Sequence, residues 1–262
     1  MIRKMTIRFI LAFCIVALPS MARTRPAITI GGNYWYAQRD LSGEYWTDIK
    51  SKAGNMFGPY ASIRLGKWLF GSSMFFGTFS EYGIHDELYE RKYSFANKRS
   101  DLNFSLGYAI HNRVNVFAAL KNLSFNADEE ERSTYDIDGD TWYGKRKIVD
   151  KGTMFGGGAS GLFRSSKSPL FLYWSAAYLI GSRTTSDRVT SVEGQTVDYS
   201  PDFKTDNSIT ALSAGIGIQT RAGITVLAGY RADILNFKTD TQNMNGKENL
   251  NGVSITLAYT LR

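Results

Sequence analysis

The sequence is poor in the residues that build disulfides, metal centres and membrane-spanning helices. Its 262 residues include one cysteine and two histidines, which is too few for an intramolecular disulfide or for a typical zinc site. The most extended apolar run, Phe9–Leu18, is half the length of about 20 residues that a transmembrane helix needs. We therefore expect no disulfide scaffold, no bundle of membrane helices, no metal and no cofactor.

Glycine and aromatic residues are abundant instead. The chain has 25 glycines, and 14% of its residues are aromatic, while 43% are hydrophobic and 21% charged. That hydrophobic content is typical of a folded protein. Many aromatic residues with few long apolar runs favour an all-β protein, including a membrane barrel, whose strands give only a weak hydropathy signal.

Residues 1–22 have the pattern of a secretory signal peptide. Arg3, Lys4 and Arg8 precede the apolar run, and a small-x-small sequence ends at Ala22, as signal peptidase requires. We predict that residues 23–262 form the exported domain. Three of the positive charges behind the net charge of +7 lie in this segment, so basicity gives little support for a nucleic-acid partner, and we expect none.

Ten later segments alternate between apolar and small or polar residues, which is the signal of a β-strand. Most are longer than the roughly 5–6 residues of a soluble strand and reach the ~9–11 that a tilted transmembrane strand needs. The segments are Ala27–Gln38, Met56–Gly66, Trp68–Tyr82, Asp101–Ile110, Arg113–Asn126, Lys151–Phe163, Leu170–Thr184, Ser208–Thr220, Gly223–Phe237 and Asn251–Arg262.

The two faces of these segments differ in a way that favours a membrane barrel. The last segment shows it, with Val253, Ile255, Leu257, Tyr259 and Leu261 on one face and Gly252, Ser254, Thr256, Ala258 and Thr260 on the other. A soluble sheet places Lys, Glu and Thr on its wet face, whereas small residues suit the interior of a narrow closed barrel. The register of the sixth segment stays open because Gly156, Gly157 and Gly158 weaken its alternation.

Short and long connections alternate along the chain. The long ones are Arg39–Asn55, Gly83–Ser100, Ala127–Asp150, Thr185–Asn207 and Lys238–Asn249. Short periplasmic turns, long extracellular loops and an even strand number are typical of outer-membrane barrels. We predict a closed antiparallel up-and-down transmembrane β-barrel of about ten strands, with eight or twelve as alternatives.

Aromatic residues cluster where the predicted strands end. Tyr34, Trp35 and Tyr36 lie near one end of the first segment, and Trp68 and Phe70 begin the third. Such placement is typical of aromatic girdles at the two membrane interfaces.

In these features the chain resembles the small bacterial outer-membrane β-barrel families, the opacity-type and small porin-like barrels, from about Ala27 to Arg262. The resemblance implies an outer-membrane location in a Gram-negative-type bacterium, insertion by the barrel-assembly machinery, and contact with outer-membrane lipid and lipopolysaccharide. Such barrels typically end on an aromatic residue. Here Leu261 stands at that place and Arg262 follows it.

Enzymatic chemistry has little support in the sequence. Omptin-like proteases of the same barrel size use aspartate pairs and an Asp-His pair, but here His85-Asp86 lacks that spacing and His111 lies at a predicted periplasmic turn. We expect a protein that is not an enzyme. Asp136, Asp138 and Asp140 resemble part of a calcium loop, but Thr141 and Lys147 stand where that loop needs Gly and Glu. They form either a non-standard cation site or a solvated acidic loop.

Charged residues on the small face are the most informative candidates. Lys121 and Arg231 are predicted at about the same height in the lumen, with Asp233 slightly above and Arg64 lower. They form either a salt-bridged plug or the lining of a narrow passage.

Three functions follow from these alternatives. An open lumen predicts a channel for small solutes, with Arg64, Lys121 and Arg231 setting selectivity. A filled lumen predicts a barrel that displays surface loops for adhesion or envelope integrity. A hydrolase at the loop rim is the third.

Overall fold

The computed structural model describes residues 26–43, 46–84, 92–134, 141–164, 168–192, 195–199, 202–239 and 245–261. Among these residues no helix is long and apolar enough to span a membrane. The proposed signal peptide (1–22), His85-Asp86 and the Asp136, Asp138 and Asp140 loop lie outside the described residues.

The described residues form one antiparallel sheet that closes on itself. The strands are β1 (Ala27–Gly43), β2 (Trp46–Lys50), β3 (Gly54–Leu65), β4 (Trp68–Ile84), β5 (Lys92–His111), β6 (Val114–Thr134), β7 (Thr141–Arg164), β8 (Leu170–Val192), β9 (Gln195–Tyr199), β10 (Asp202–Gln219), β11 (Ile224–Thr239) and β12 (Asn245–Leu261). Ten of them form the wall, while β2 pairs only with β1 and β9 only with β8. The pairing of β1 with β12 completes the ring, and the prediction of a ten-stranded up-and-down barrel is confirmed.

Closure satisfies the backbone of every wall strand. A sheet edge in hydrocarbon would leave N–H and C=O groups without partners, so only a closed ring is stable there. Two tight turns need glycine in the left-handed region: Gly66 has φ 59° between β3 and β4, and Gly223 has φ 90° before β11. We call the end of the barrel with these turns and the chain termini the turn end, and the opposite end the loop end.

The strands extend further towards the loop end than the sequence pattern indicates. β7 has 24 residues, β8 has 23 and β6 has 21, about twice the length that crosses a membrane. The predicted loop Ala127–Asp150 is therefore mostly strand, and its bounds are corrected. Polar residues on both faces of these extensions hid the alternation.

Outward-facing residues divide the wall into two zones. Near the turn end they form an apolar belt, to which each wall strand contributes exposed large side chains, including Ile30, Ile63, Phe70, Phe104, Leu120, Phe155, Leu172, Ile216, Val226 and Leu257. Five alternating positions span about 26 Å along a strand, which at a tilt of about 40° is about 20 Å of height, close to the ~25 Å apolar band of outer-membrane barrels. Above the belt the outward positions become polar on all ten strands, at Gln38, Asn55, Thr78, Ser100, Asn122, Thr153, Ser182, Thr210, Asn236 and Asn251. We call this zone the polar collar.

The structure tests two predictions about which side chains face outward and which face the lumen. The apolar face of the last strand, with Leu257 58% and Val253 51% exposed, points outward as predicted. Trp35 does not belong to an interfacial girdle, because it is fully buried inside the barrel while Tyr34 and Tyr36 face outward. The odd-numbered residues of this part of β1, such as Trp35 and Ala37, face the lumen. The assignment of Trp35 to an interfacial girdle is therefore wrong.

The belt predicts a depth-dependent cost for a charge on the outer wall. Ala228 in mid-belt and Asn236 in the collar are both exposed residues of β11. We expect Ala228→Arg to lower the free energy of unfolding by about 2–4 kcal/mol and Asn236→Arg by about 0–1 kcal/mol. Equilibrium urea unfolding in phospholipid bilayers measures both; equal losses would contradict the belt.

Candidate functional site

Small inward residues near the turn end make room for aromatic rings in the lumen. A Cβ added at Gly158 would collide with the Phe117 ring, and one at Gly217 with the Phe171 ring. At Gly158 an added Cβ would also collide with the backbone oxygen of Ala176, so the close approach of β8 and the ring both require glycine there, whereas at Gly217 the Phe171 ring is the nearest group. The small face that the sequence shows therefore lines a lumen that is partly filled by rings.

A network of ion pairs crosses the lumen above these rings. Asp233 of β11 accepts from Lys121 of β6 at 2.6 Å and from Arg231 of its own strand at 3.0 Å. Lys121 also contacts Asp101 of β5 at 2.9 Å. β5 and β6 are paired neighbours, whereas β6 and β11 lie far apart in the ring, so the Lys121–Asp233 pair connects distant parts of the wall.

Arg99 continues the network from Asp101 to Glu248. Its Nε lies 2.8 Å from Asp101 Oδ1, and its Nη1 lies 2.5 Å from Glu248 Oε1. A guanidinium suits this position because its planar fork of donors serves two carboxylates at once.

Glu248 of β12 is the junction of the network. Besides Arg99, it contacts Arg39 of β1 at 3.2 Å and Arg183 of β8 at 3.8 Å. Arg183 also pairs with Asp150 of β7 at 3.3 Å. One carboxylate thus joins three guanidinium groups from three different strands.

The network, which we call the lumen plug, consists of nine buried or nearly buried charges. Its members are Arg39, Arg99, Asp101, Lys121, Asp150, Arg183, Arg231, Asp233 and Glu248. Asp101 is fully buried, whereas Arg231 keeps 18% of its side-chain surface exposed. A buried charge is tolerated only when it is paired, and these five cations and four anions are nearly balanced.

Apolar clusters pack against the plug from two sides. One consists of Trp35, Ala37, Met56, Phe75, Phe79 and Leu250, and the other of Leu123, Met154, Leu179, Ile209, Leu235 and Phe237. The Arg231 guanidinium lies 4.4 Å from the Trp35 ring centre and 4.8 Å from that of Phe75. Arg39 lies over Phe125 at 4.3 Å, and Arg183 over Phe237 at 5.3 Å. Cation–π contacts of this kind add to ion pairing where water is excluded.

Pairing is less complete towards the loop end. Asp150 Oδ1, Arg183 Nε and Asn207 Oδ1 are buried without a hydrogen-bond partner in the protein. In contrast, both oxygens of Asp233 accept hydrogen bonds, from Lys121 and Arg231. The plug is therefore best satisfied in the middle of the barrel.

Three of the four charged residues singled out in the sequence meet in this network. Lys121, Arg231 and Asp233 are in direct contact. Arg64 is not with them: it is exposed at the turn end of β3, where its Nε donates to the Gly66 carbonyl. Arg64 is the second-last residue of β3, so its side chain reaches the water at the turn end and not the centre of the lumen.

Sequence reasoning missed the other six members. The sequence pattern places Arg39, Arg99, Asp150 and Glu248 in predicted long loops, whereas Asp101 and Arg183 lie within predicted strands but were not singled out. Each follows the even–odd pattern of its strand, as Glu248 does with buried Leu250. Continuing that pattern past the first polar residue would have found them.

Comparison with protein-family models and with curated proteins gives no match. Solved structures do match. The outer membrane protease OmpT from Escherichia coli superposes with a TM-score of 0.59 at 10% identity, over 92% of this chain and 100% of that chain. The likeness shows the fold alone.

Two other solved barrels match at lower scores. The translocator domain of the autotransporter NalP from Neisseria meningitidis has a TM-score of 0.45 and 6% identity over 98% of this chain and 96% of that chain. Neisserial surface protein A (NspA) has a TM-score of 0.34 and 12% identity over 87% of this chain and 97% of that chain. The fold of the chain is that of an outer-membrane β-barrel, as the superposition on OmpT shows.

Removing the junction of the plug should destabilise the barrel strongly. Glu248→Gln leaves Arg39, Arg99 and Arg183 close together without their shared carboxylate, so we expect a loss of about 3–5 kcal/mol in the free energy of unfolding. The exposed Asp206→Asn on the outer wall is the control, with a change within about 1 kcal/mol. Urea unfolding in bilayers measures both, and a Glu248→Gln barrel as stable as the control would show that the ion pairs contribute little.

Proposed function

We propose that this protein is a closed, non-conducting outer-membrane barrel that acts through the surface displayed at its loop end. The lumen plug is the observation that carries the proposal. Ion pairs from seven wall strands, flanked by two apolar clusters, occupy the middle of the lumen. A solute would have to separate buried charges from their partners in order to pass, and that is strongly unfavourable.

The wall supports a placement in the outer membrane of a Gram-negative-type bacterium after export. In this placement the turn end faces the periplasm, and β6, β7 and β8 rise above the outer leaflet. Insertion by the barrel-assembly machinery and kinship with opacity-type barrels belong to the same proposal. The alternating C-terminal strand, paired over its length with β1, supports both.

The carboxylates of the lumen support a protein that is not an enzyme. Each of Asp101, Asp150, Asp233 and Glu248 is paired with a lysine or an arginine. A carboxylate committed to an ion pair is a poor general base, because proton abstraction needs a free acceptor within reach of the substrate. The displayed loop-end surface is then suited to adhesion or to envelope integrity.

A narrow channel is the second candidate. The plug has one more cation than anions, and Arg231 keeps part of its surface exposed. Such a passage would prefer anions.

Planar-bilayer conductance of the refolded 23–262 chain tests the proposal. We expect silence from the native barrel, because its lumen is filled. The variant Lys121→Ala/Arg231→Ala/Asp233→Ala removes two cations and one anion, and leaves three of each sign with Asp101 still paired to Arg99. We expect this variant to give reproducible current steps.

A charge-matched control removes two cations and one anion from the outer wall. Lys98→Ala/Asp206→Ala/Lys238→Ala changes only exposed residues, and it should stay silent. Heat-modifiable migration on gels verifies folding in each case. Reproducible steps from the native barrel, with an ion selectivity that changes in Arg231→Ala, would overturn the proposal in favour of the channel.

A further inference from the structure

The outer wall has a groove where the apolar belt meets the polar collar. Its volume is about 980 Å³, and it crosses the outward faces of β7, β8, β10, β11 and β12. Phe155 and Ile180 lie on its belt side, 57% and 46% exposed. A second groove of about 460 Å³ adjoins it through the shared residues Thr153 and Ser182.

Lysines surround the groove on its collar side. Lys204 of β10, Lys238 of β11 and Lys247 of β12 line it and are exposed. Asp206 is the carboxylate among the lining residues, and it lies directly opposite Lys238 across the β10–β11 ladder. One lysine is thus partly balanced, and the groove keeps an excess of positive charge.

A fourth lysine lies in the adjoining groove. Lys151 of β7 and Lys204 of β10 both lie opposite Thr184 of β8, so two interstrand spacings separate them, about 10 Å. Lys151 and Lys204 therefore place two positive charges at the same level of the wall, on either side of β8. Hydroxyl groups of Thr153 and Ser182 lie at the shared boundary of the grooves.

We propose that these adjoining grooves bind the phosphorylated headgroup of an outer-leaflet glycolipid of the lipid A class. Lysine ammonium groups bind phosphate as point charges, and the hydroxyls suit a sugar ring. The exposed Phe155 and Ile180 directly below face the depth at which the acyl chains begin. This combination favours a lipid over free phosphate, which would gain nothing from the apolar side.

The position in the wall supports the assignment. At the same level β1, β3 and β4 present Gln38, Asn55 and Thr78, and β5 presents the single Lys98, so the four groove lysines are concentrated on the side of the barrel from β7 to β12. The site is independent of whether the lumen conducts, because its residues face away from the plug.

Native mass spectrometry of the detergent-solubilised barrel tests the site with bis-phosphorylated lipid A as the probe. Lys204→Ala/Lys238→Ala/Lys247→Ala should weaken its binding by about 100-fold, since each lysine near an anionic lipid surface contributes roughly a factor of five. Lys98→Ala is the matched control: Lys98 is an exposed collar residue of β5 outside both grooves, and binding should change less than about twofold.

Each contrary outcome identifies a different error. Unchanged binding by the triple variant, or an equal loss in Lys98→Ala, would show that the lysines form no localised site. Equal binding of lipid A lacking its phosphates would show apolar adhesion only. Displacement of the lipid by an equal concentration of inorganic phosphate would assign the site to the free anion instead. The variants change only the outer wall, and unaltered urea unfolding confirms that the barrel is intact.

Discussion

The pairing of charge inside the barrel is the interaction on which the structure depends. A lumen too narrow for bulk water cannot hold a lone guanidinium or carboxylate, so every charge that the chain places there must meet an opposite one. Glu248 and Asp233 meet that demand from adjacent strands: Glu248 joins arginines from three other strands, and Asp233 joins Lys121 across the lumen to Arg231 of its own strand. In the function that we propose, the same ion pairs also close the lumen to solutes, and the activity of the protein lies at its outer surfaces.

The alternation of side chains along each strand serves two different environments, the lipid outside the wall and the confined lumen inside it. Outward residues contact hydrocarbon near the turn end and lipid headgroups higher up each strand. They are therefore apolar in the belt and polar in the collar. Inward residues face a confined space, in which small residues such as Gly158 and Gly217 make room for the rings beside them. Because a strand residue belongs to one face or the other, a shift of one residue in register would place the plug in lipid.

The sequence was sufficient for the fold and for part of the plug. Alternation in the last strand, from Val253 to Leu261, and the alternation of connection lengths indicated a ten-stranded barrel. Lys121, Arg231 and Asp233 were found because they lie within strongly apolar segments. Glu248 and Asp150 were missed because above the apolar belt the outer face is polar and the inner face carries buried, paired charges, so hydropathy no longer distinguishes the two faces. Trp35 was misplaced because an aromatic residue near a strand end suits an interface and a lumen equally, and only its parity with Ala37 decides.

The position of Glu248 ties the interior to the order of assembly. This residue lies on the last strand, and one of its partners, Arg39, lies on the first, so the seam between β12 and β1 joins the ladder and the ion pairs in the same event. Before that seam forms, Arg99 and Arg183 can already pair with Asp101 and Asp150, but the contact between Arg39 and Glu248 is not yet made. Ring closure therefore completes the backbone ladder and the ion-pair network together, and β12 is the strand that couples them.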